Sequence, residues 1–219
     1  MGPDDEPARF VRDSTRLGVA PLVPEIRLHL ADEVFQLWER SERETDSGPA
    51  PPPFWASAWA GGQVVARYVL DNPGEVAGRD VFDLASGCGV AAVAAARSGA
   101  ARVVANDVDA YAVAAIGLNA EANGVTVETV LGDALEGDAT GAGVVLAGDV
   151  FYDRMFAARA VSFMDRAAAR GAEVLVGDPG RAYLPRDRFD LVTGYDVPVP
   201  EELEGVTTKR TTVWRLPGR

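Results

Sequence analysis

The sequence predicts an open, doubly wound α/β sheet of mostly parallel strands, with a short N-terminal extension. Apolar runs rich in Val, Leu and Ala recur about 20 to 30 residues apart, as strands covered on both faces do, and they start near Val81, Val103, Val125, Val144 and Val174. Alanine-rich or amphipathic stretches of helical pattern separate the runs, which indicates repeated β-α-β units. Gly99 and Gly124 lie where glycines commonly end helices.

Residues 1–53 are predicted to form the extension and a linker. The first 25 or so residues are charged and contain several prolines, which predicts a poorly ordered arm. Apolar residues then alternate as in a half-buried strand, at Ile26, Leu28 and Leu30. Asp32 is placed to cap a helix whose apolar residues are Val34, Phe35, Leu37 and Trp38. Residues 41–53 are polar and then proline-rich, which disfavours helix and predicts a connector or lid.

Residues 54–219 are predicted to form the main domain. Its first helix covers about residues 62–70 and ends before Pro73. After residue 181 the pattern is broken by prolines, and two apolar runs, residues 189–197 and 211–216, are predicted to close the sheet as an antiparallel pair. The chain is too short for a separate substrate domain, so the functional residues must share this core.

Composition bounds the class of protein. The 219 residues include 21 basic and 33 acidic side chains, a net charge of −12, and 47% are apolar. No apolar stretch approaches the roughly 20 residues of a membrane span, and the first 20 residues are too charged for a secretory signal. We therefore expect a cytoplasmic protein. Net acidity without a basic run argues against nucleic-acid binding and suits a basic protein partner or a cationic small molecule.

The single cysteine and the single histidine restrict the chemistry. Cys88 alone forms no internal disulfide, and Cys88 with His29 is too small a set for zinc or iron. His29 lies in a segment predicted to be peripheral, which argues against a Ser-His-Asp triad. Carboxylates at Asp149, Asp153 and Asp178 are a conceivable Mg²⁺ set, but we expect no metal.

A strand, a glycine turn and a helix are predicted in residues 81–99, with the sequence VFDLASGCGVAAVAAARSG. Gly87, Gly89 and Ala92 also satisfy a dinucleotide-binding pattern, with Asp107 at the distance expected of a ribose ligand. Asp83, at the end of the same strand, would repel a pyrophosphate at the helix N-terminus. This favours a cationic ligand without phosphate, which S-adenosylmethionine is. The stretch DLASGCG resembles the first motif of the class I methyltransferases.

Three further aspartates follow the next two strands. Asp107 can accept hydrogen bonds from both ribose hydroxyls, whereas Asp109 is placed to cap the following helix. Asp133 lies at the usual adenine edge, where it can accept from the exocyclic amine or remain a surface residue. The backbone N–H of Ala134 would then face the ring.

The fourth strand ends in AGDVFYD, residues 147–153, at the edge where open sheets bind ligands. Acidic and aromatic groups together suit methyl transfer to an amine. Asp149 can orient the amine, and Asp149, Asp153 or water can take its proton. We therefore predict Asp149, Tyr152 and Asp153 as catalytic residues. A helix cap is the alternative for Asp149 or Asp153, Phe151 is interpreted as a core residue, and Asp178 as holding a tight turn rather than lining the pocket.

Several stretches together resemble a narrower family: the seven-strand protein-lysine methyltransferases, and in particular those that act on the electron-transfer flavoprotein β subunit. The resemblance covers residues 24–214 and is carried by PEIRLHL, PPFWASAWAGGQ, DLASGCG, ANDVD, GDVFYD and VGDPGR. It implies a seven-stranded sheet, S-adenosylmethionine as cofactor and a protein substrate.

The resemblance also implies roles for residues. Trp59 would flank the cofactor, with Gly61 and Gly62 allowing close approach. The methionine moiety would be held by Asp83, Gly87 and Gly89, the ribose by Asp107 and the adenine by Asp133, where the family often has Asn. The methyl-transfer site would be lined by Asp149 and Tyr152. The sequence departs from the family after Asp153, where Arg154 follows.

The sequence thus predicts an S-adenosylmethionine-dependent methyltransferase acting on a protein lysine, such as one in the electron-transfer flavoprotein β subunit. Three alternatives stay open: methylation of a small, nicotinamide-like amine, a cofactor-binding module without catalysis, and a nucleotide-dependent reductase. Thermal stabilisation by S-adenosylhomocysteine but not by NAD(P)H would separate the last from the others.

Overall fold

The computed structural model describes residues 6–44, 51–139 and 141–218. Its centre is a seven-stranded sheet in which five neighbouring strands are parallel and the sixth is antiparallel to both of its neighbours. In spatial order the strands are β5 (Glu128–Leu131), β4 (Arg102–Asp107), β3 (Asp80–Leu84), β6 (Val144–Gly148), β7 (Glu173–Asp178), β9 (Thr208–Leu216) and β8 (Asp190–Pro198). The predicted seven-stranded, mostly parallel α/β sheet is confirmed.

A two-stranded hairpin and seven α-helices complete the described structure. The hairpin pairs β1 (Arg16–Ala20) with β2 (Val23–Leu30). The helices are α1 (Glu6–Ser14), α2 (Val34–Glu44), α3 (Ala60–Asp71), α4 (Val90–Arg97), α5 (Ala110–Ala122), α6 (Arg154–Ala169) and α7 (Glu201–Glu204). Short 3₁₀ turns cover Phe54–Ala56, Pro73–Glu75 and Arg186–Arg188. No helix in the described ranges is long and apolar enough to cross a membrane.

Helices pack on both faces of the sheet because the central strands are apolar on both sides. One face lies against α3, α4 and the hairpin, with Val64, Ala92, Leu146 and Leu175 in its core. The other lies against α6, whose Phe163 and Met164 pack with Val145 and Val174. Neighbouring residues of one strand thus point into opposite cores, as a period of two requires.

The N-terminal arm is ordered, contrary to the sequence prediction for the part of it that the structure describes. Ala8 and Val11 of α1 pack on α5, and Ile26 and Leu28 of β2 enter the core shared with the sheet. The prediction failed because charge and proline content say nothing of apolar residues spaced to meet a partner helix. The alternating strand at residues 26–30 is confirmed.

Two asparagines, Asn119 on α5 and Asn123 directly after its end, form hydrogen bonds with the backbone of β2. Asn119 Oδ1 accepts from the backbone N–H of His29 at 2.7 Å, and Asn123 accepts from and donates to the backbone of Arg27. An unpaired buried peptide group costs about as much free energy as a lost hydrogen bond. These side chains supply hydrogen-bond partners to backbone groups of β2 at Arg27 and His29.

Two predicted boundaries are corrected. Strand β5 begins at Glu128 rather than near Val125, because the backbone N–H of Val125 bonds to Ala120 of α5 and completes the end of that helix around Gly124. The predicted connector at residues 41–53 is helical over 41–44, residues 45–50 lie outside the described residues, and residues 51–53 have no regular structure.

Candidate active site

A cleft of about 920 Å³ opens at the carboxyl ends of the parallel strands. This is the edge at which open α/β sheets bind ligands, because the strand order reverses there between β3 and β6. Its walls are the glycine turn after β3, the ends of β4 and β6, the segment around Phe54 and Trp59, and Leu203 of α7. All predicted site residues except Gly61 and Gly89 line it.

Asp83 shapes the glycine turn from beneath. Its Oδ2 accepts from the hydroxyl of Ser86 and, at 3.1 Å, from the backbone N–H of Ala92 in the first turn of α4. The carboxylate thus occupies the helix N-terminus, where a phosphate would bind. Asp83 is 2% exposed, and burial raises its pKa to about 7.

Gly87 and Gly89 lie in the turn with φ of +56° and +79°, a region that favours glycine. The backbone N–H of Gly87 donates to Asp107 Oδ2 at 2.9 Å, so the end of β4 holds the turn. A Cβ at Gly89 would come within 3.3 Å of the backbone of Ile116. Gly89 therefore serves the contact between the turn and α5 rather than lining the cleft.

Asp107 also accepts from the backbone N–H of Asp109 through Oδ1, at 3.1 Å. Burial raises its pKa, although the backbone donors oppose this. Asp109 caps α5 by accepting from the N–H of Tyr111 at 2.8 Å, as predicted. Asp107 thus lines the cleft as a carboxylate held by two backbone donors, one at each oxygen.

Asp133 and Ala134 lie at the cleft wall beyond β5. Asp133 Oδ1 accepts from the N–H of Leu135 at 2.9 Å, and Oδ2 pairs with Arg159 of α6 at 2.8 Å. These bonds lower its pKa. Arg159, which also pairs with Glu136 and lines the cleft, was not predicted from the sequence.

Gly61 faces the protein and not the cleft. A Cβ at Gly61 would lie 2.3 Å from the carbonyl oxygen of Gly177 and 2.6 Å from the backbone N of Asp149. The close approach that Gly61 allows is therefore between the start of α3 and the ends of β6 and β7, which corrects its expected contact with a cofactor. Gly62 does line the cleft, and its N would be 2.5 Å from a Cβ at Gly148.

Trp59 directly precedes α3 and contacts two other residues of the cleft, Phe54 and Arg181. Its indole N–H donates to the carbonyl of Phe54 at 2.8 Å, and the two rings meet edge to face at 5.8 Å. The guanidinium of Arg181 lies 5.8 Å from the indole centroid, a distance typical of cation–π contact. Trp55 is buried against α5, so it is a core residue.

Asp149 directly follows β6 with φ of +55°, a left-handed conformation that is uncommon outside glycine. Its Oδ2 accepts from the N–H of Gly61 at 2.5 Å, and Oδ1 accepts from Arg181 Nη2 and Nε at 2.8 and 3.1 Å. Burial raises the pKa of Asp149, while Arg181 and the N–H of Gly61 oppose that rise. Strain of this kind is commonly retained at functional sites.

Tyr152 and Asp153 follow at the cleft mouth. Tyr152 is 50% exposed and contacts the rings of Phe54 and Phe156 at 5.6 and 5.7 Å. Asp153 caps α6, since its Oδ1 accepts from the N–H groups of Met155 and Phe156. Phe151 is fully buried, as its core interpretation predicted.

Arg181 is the residue that sequence reasoning missed at the centre of the site. Asp178 Oδ1 accepts from the N–H groups of Gly180 and Arg181 at 2.6 and 2.7 Å, which confirms the predicted tight turn. The turn directs Arg181 back towards β6. Arg181 follows a strand of the sheet, as the predicted site aspartates do, and this position could have marked it as a site residue. Nothing in the sequence around Glu204, its second partner, marks that residue in the same way.

The donor set fits a ligand that lacks phosphate. The N–H groups of Gly87 and Ala92 are bonded to carboxylates, and the two arginines of the cleft are paired with Asp133 and Asp149. Carboxylate and aromatic groups therefore face the cleft, and these favour a cationic ligand with hydroxyl groups.

Comparison with known proteins shows first what the fold is similar to. A sequence profile of the ribosomal protein L11 methyltransferase family matches residues 68–149. Two solved structures share the fold: an RNA methyltransferase from Salinibacter ruber in complex with S-adenosyl-L-homocysteine (TM-score 0.50, 22% identity, 71% of this chain and 92% of that chain) and magnesium protoporphyrin IX methyltransferase from Synechocystis with SAM bound (TM-score 0.52, 16% identity, 71% and 79%).

Relatives over nearly the whole length are more specific. The electron transfer flavoprotein beta subunit lysine methyltransferase of Danio rerio is 37% identical, covering 98% of this chain and 84% of its own length. The Homo sapiens protein of the same name is 36% identical, covering 96% and 82%. The resemblance drawn from the sequence motifs is confirmed. The chain belongs to the family of electron transfer flavoprotein beta subunit lysine methyltransferases.

Proposed function

We propose that the protein is an S-adenosylmethionine-dependent methyltransferase that methylates lysine in a protein substrate, the electron transfer flavoprotein β subunit. The single observation that carries the proposal is that a chain of this family has a cleft with two chemically different sides. One side presents buried carboxylates at a glycine turn, and the other ends in Asp149 and Tyr152. A cytoplasmic location is part of the proposal, and cell fractionation tests it.

The residues of β3, β4 and β5 would hold the cofactor. Asp83 keeps the turn in shape, and in its ionised form it adds negative charge below the site of a cationic sulfonium and ammonium. Asp107 is placed for the ribose hydroxyls, and Asp133 with Ala134 for the adenine edge. When bound, S-adenosylmethionine supplies an electrophilic methyl group on a positively charged sulfur.

The residues at the end of β6 would hold the amine. A lysine ammonium, with a usual pKa of about 10.4, must lose a proton to water before its lone pair is free. That lone pair forms the new bond to the methyl carbon, and the electron pair of the methyl–sulfur bond stays on sulfur. Phe54, Trp59 and Tyr152 offer aromatic faces beside the cationic groups.

Methyl labelling tests this function. Wild-type protein with methyl-labelled cofactor should label the flavoprotein β subunit, and peptide mass mapping should place the label on lysine. Asp149→Ala should abolish most labelling. Asp165→Ala, a matched carboxylate change on α6 at an ion pair with Arg188 outside the cleft, should not.

Other outcomes would replace the proposal. Label found only in low-mass amines would establish the small-molecule alternative. Binding of S-adenosylhomocysteine without label in any acceptor would establish a non-catalytic module. Stabilisation by NAD(P)H but not by S-adenosylhomocysteine would establish a nucleotide-dependent enzyme.

A further inference from the structure

Arg181 lies between two buried carboxylates, Asp149 and Glu204, in the part of the cleft proposed to hold the amine. Its Nη2 is 2.8 Å from Asp149 Oδ1 and 2.9 Å from Glu204 Oε1, and its Nη1 is 3.3 Å from Glu204 Oε2. The side chains of Arg181, Asp149 and Glu204 are 20%, 11% and 3% exposed. Such pairs are much less screened than surface pairs.

Glu204 belongs to α7, in the connection between β8 and β9. It also pairs with Lys209, the single lysine of the chain, and its neighbour Leu203 lines the cleft. Arg181 and Lys209 carry two positive charges, and Asp149 and Glu204 carry two negative charges. Arg181 therefore links α7, which walls the cleft, to Asp149 at the end of β6.

These bonds limit what Asp149 can do. A carboxylate has about four acceptor positions, and within the described residues Oδ1 accepts two bonds from Arg181 while Oδ2 accepts one from Gly61. One position on Oδ2 is left for an amine N–H. Burial raises the pKa of Asp149 and the charge of Arg181 opposes that rise, while the bonds from Arg181 and Gly61 fix the carboxylate as a hydrogen-bond acceptor.

We propose that Arg181 is a positioning residue for methyl transfer: it holds Asp149 ionised in one orientation, so that Asp149 orients the acceptor amine while water takes the proton. Glu204 in turn holds Arg181. The inference rests on the proposed function, because it takes an amine as the acceptor. The guanidinium also offsets the negative charges of Asp149 and Glu204, which weakens their attraction for an ammonium.

The pH dependence gives a readout that a merely structural role would not move. Asp149 faces Arg181, Glu204 and Asp178; burial and Asp149 raise the pKa of Asp178 to about 6. Without Arg181, burial and these neighbouring carboxylates raise the pKa of Asp149 further. A protonated Asp149 loses an acceptor site, so turnover should then decline as pH falls through a range where wild-type turnover does not show this step.

The experiment compares Arg181→Gln, Arg181→Lys and Glu204→Gln with wild type on one acceptor. Arg181→Gln should lower kcat roughly a hundredfold, the usual cost of displacing a reacting group by about 1 Å, with the Kd for S-adenosylhomocysteine within about twofold. Arg181→Lys keeps the charge but not the fork of donors, so it should recover part of kcat. Glu204→Gln should have a smaller effect than Arg181→Gln.

Arg210→Gln is the matched control, since Arg210 pairs with Asp196 at the surface of β8 and β9 outside the cleft; it should behave as wild type. The proposal is overturned by an unchanged kcat in Arg181→Gln. It is also overturned if cofactor affinity and kcat fall together with the pH profile unchanged, or if Arg181→Lys is as impaired as Arg181→Gln.

Carboxyl ¹³C NMR of Asp149 separates this inference from the proposed function and serves if Arg181→Gln folds poorly. In Arg181→Gln, or in Glu204→Gln to a lesser degree, Asp149 should titrate at higher pH than in wild type. This holds whatever the acceptor is. Absence of flavoprotein labelling by wild type would reject the proposed substrate, whereas an unshifted Asp149 titration in both variants would reject the role of Arg181.

Discussion

The two halves of the cleft hold their carboxylates by different means. On the side of β3 and β4, Asp83 and Asp107 are held by backbone N–H groups and a serine hydroxyl, all within about one strand and turn of the glycine motif. On the side of β6, Asp149 is held by Arg181, and Arg181 by Glu204. The donors of the first half come from the glycine turn and the segments next to it. The donors to Asp149, Arg181 and the backbone N–H of Gly61, come from segments that only the fold brings together.

This difference indicates how each half responds to change. Backbone donors are fixed by the strand and helix that carry them, so the first half tolerates side-chain changes nearby. The second half depends on three separate segments and on the close contact of Gly61 and Gly62 with Gly148 and Gly177. Changes there should disturb the site as a unit.

The largest expected effect comes from the helix–sheet contact of the second half. In Gly177→Ala, the Cβ would lie 2.0 Å from the backbone oxygen of Gly61, a clash that no side-chain rotation relieves. We expect a loss of about 4 kcal/mol or more in the free energy of unfolding, at the upper end for point mutants. Denaturant unfolding measures it.

Gly117→Ala is the control for this prediction. Gly117 is exposed within α5, and a Cβ there has no neighbour within 4 Å, so the change should raise stability by about 0.5–1 kcal/mol, the helix preference for Ala over Gly. Equal stability of Gly177→Ala and wild type would show that the contact is not as tight as the structure has it.

The next effect concerns the buried carboxyl group of Asp83, in the half of the cleft formed by β3 and β4. Burial raises the pKa of Asp83 from 3.8 to about 7, so the folded protein holds this proton more tightly than the unfolded chain. Its contribution to stability is therefore full below about pH 4 and is lost as pH rises towards 7, by as much as ~4 kcal/mol at about 1.4 kcal/mol per unit.

Asp83→Asn should flatten this dependence. An Asn oxygen at the position of Oδ2 keeps the bonds from Ser86 and Ala92, because both end on that atom. The melting temperature of wild type should fall more steeply between pH 4 and 7 than that of Asp83→Asn. Asp80→Asn, at the exposed start of the same strand, should retain the wild-type slope; equal slopes in all three would contradict the prediction.

A third prediction is that the half of the cleft with Asp107 mainly binds the cofactor and the half with Asp149 mainly supports turnover. Asp107→Ala should weaken cofactor binding by about 2 kcal/mol, roughly thirtyfold in Kd, the usual value for hydrogen bonds to a charged group. Asp149→Ala should lower kcat by more than it raises that Kd. Calorimetry with S-adenosylhomocysteine and single-turnover kinetics measure the two quantities, and equal losses of binding in both variants would remove the distinction between the halves.

The smallest effect is expected from Arg159, whose ion pairs lie at the exposed wall of the cleft. Arg159 pairs with Asp133 and Glu136, and all three side chains are at least 39% exposed; pairs of this kind contribute about 0–1 kcal/mol. Arg159→Ala should therefore change cofactor Kd by no more than about fivefold, less at high salt. Arg102→Ala, at an exposed pair with Glu128 away from the cleft, should leave Kd unchanged.

Much of the first half could be predicted because its signals are local. A strand that runs through Asp83 into Gly87 and Gly89 specifies the turn, and Asp107 lies one β-α-β unit later. The caps at Asp109 and Asp153 and the turn at Asp178 also follow from short-range hydrogen bonding. The start of β5 was misplaced because Val125 fits a strand pattern as well as it fits a helix end.

The sequence by itself determined the alternation of strands and helices over residues 81–178, the glycine turn and the acidic character of the cofactor side, because each depends on residues close together in the chain. Only the tertiary structure decided that α1 packs on α5, that Gly61 meets Gly177, and that Arg181 joins Asp149 to Glu204. Such contacts join residues tens of positions or more apart, and no periodicity or composition records which distant groups will meet.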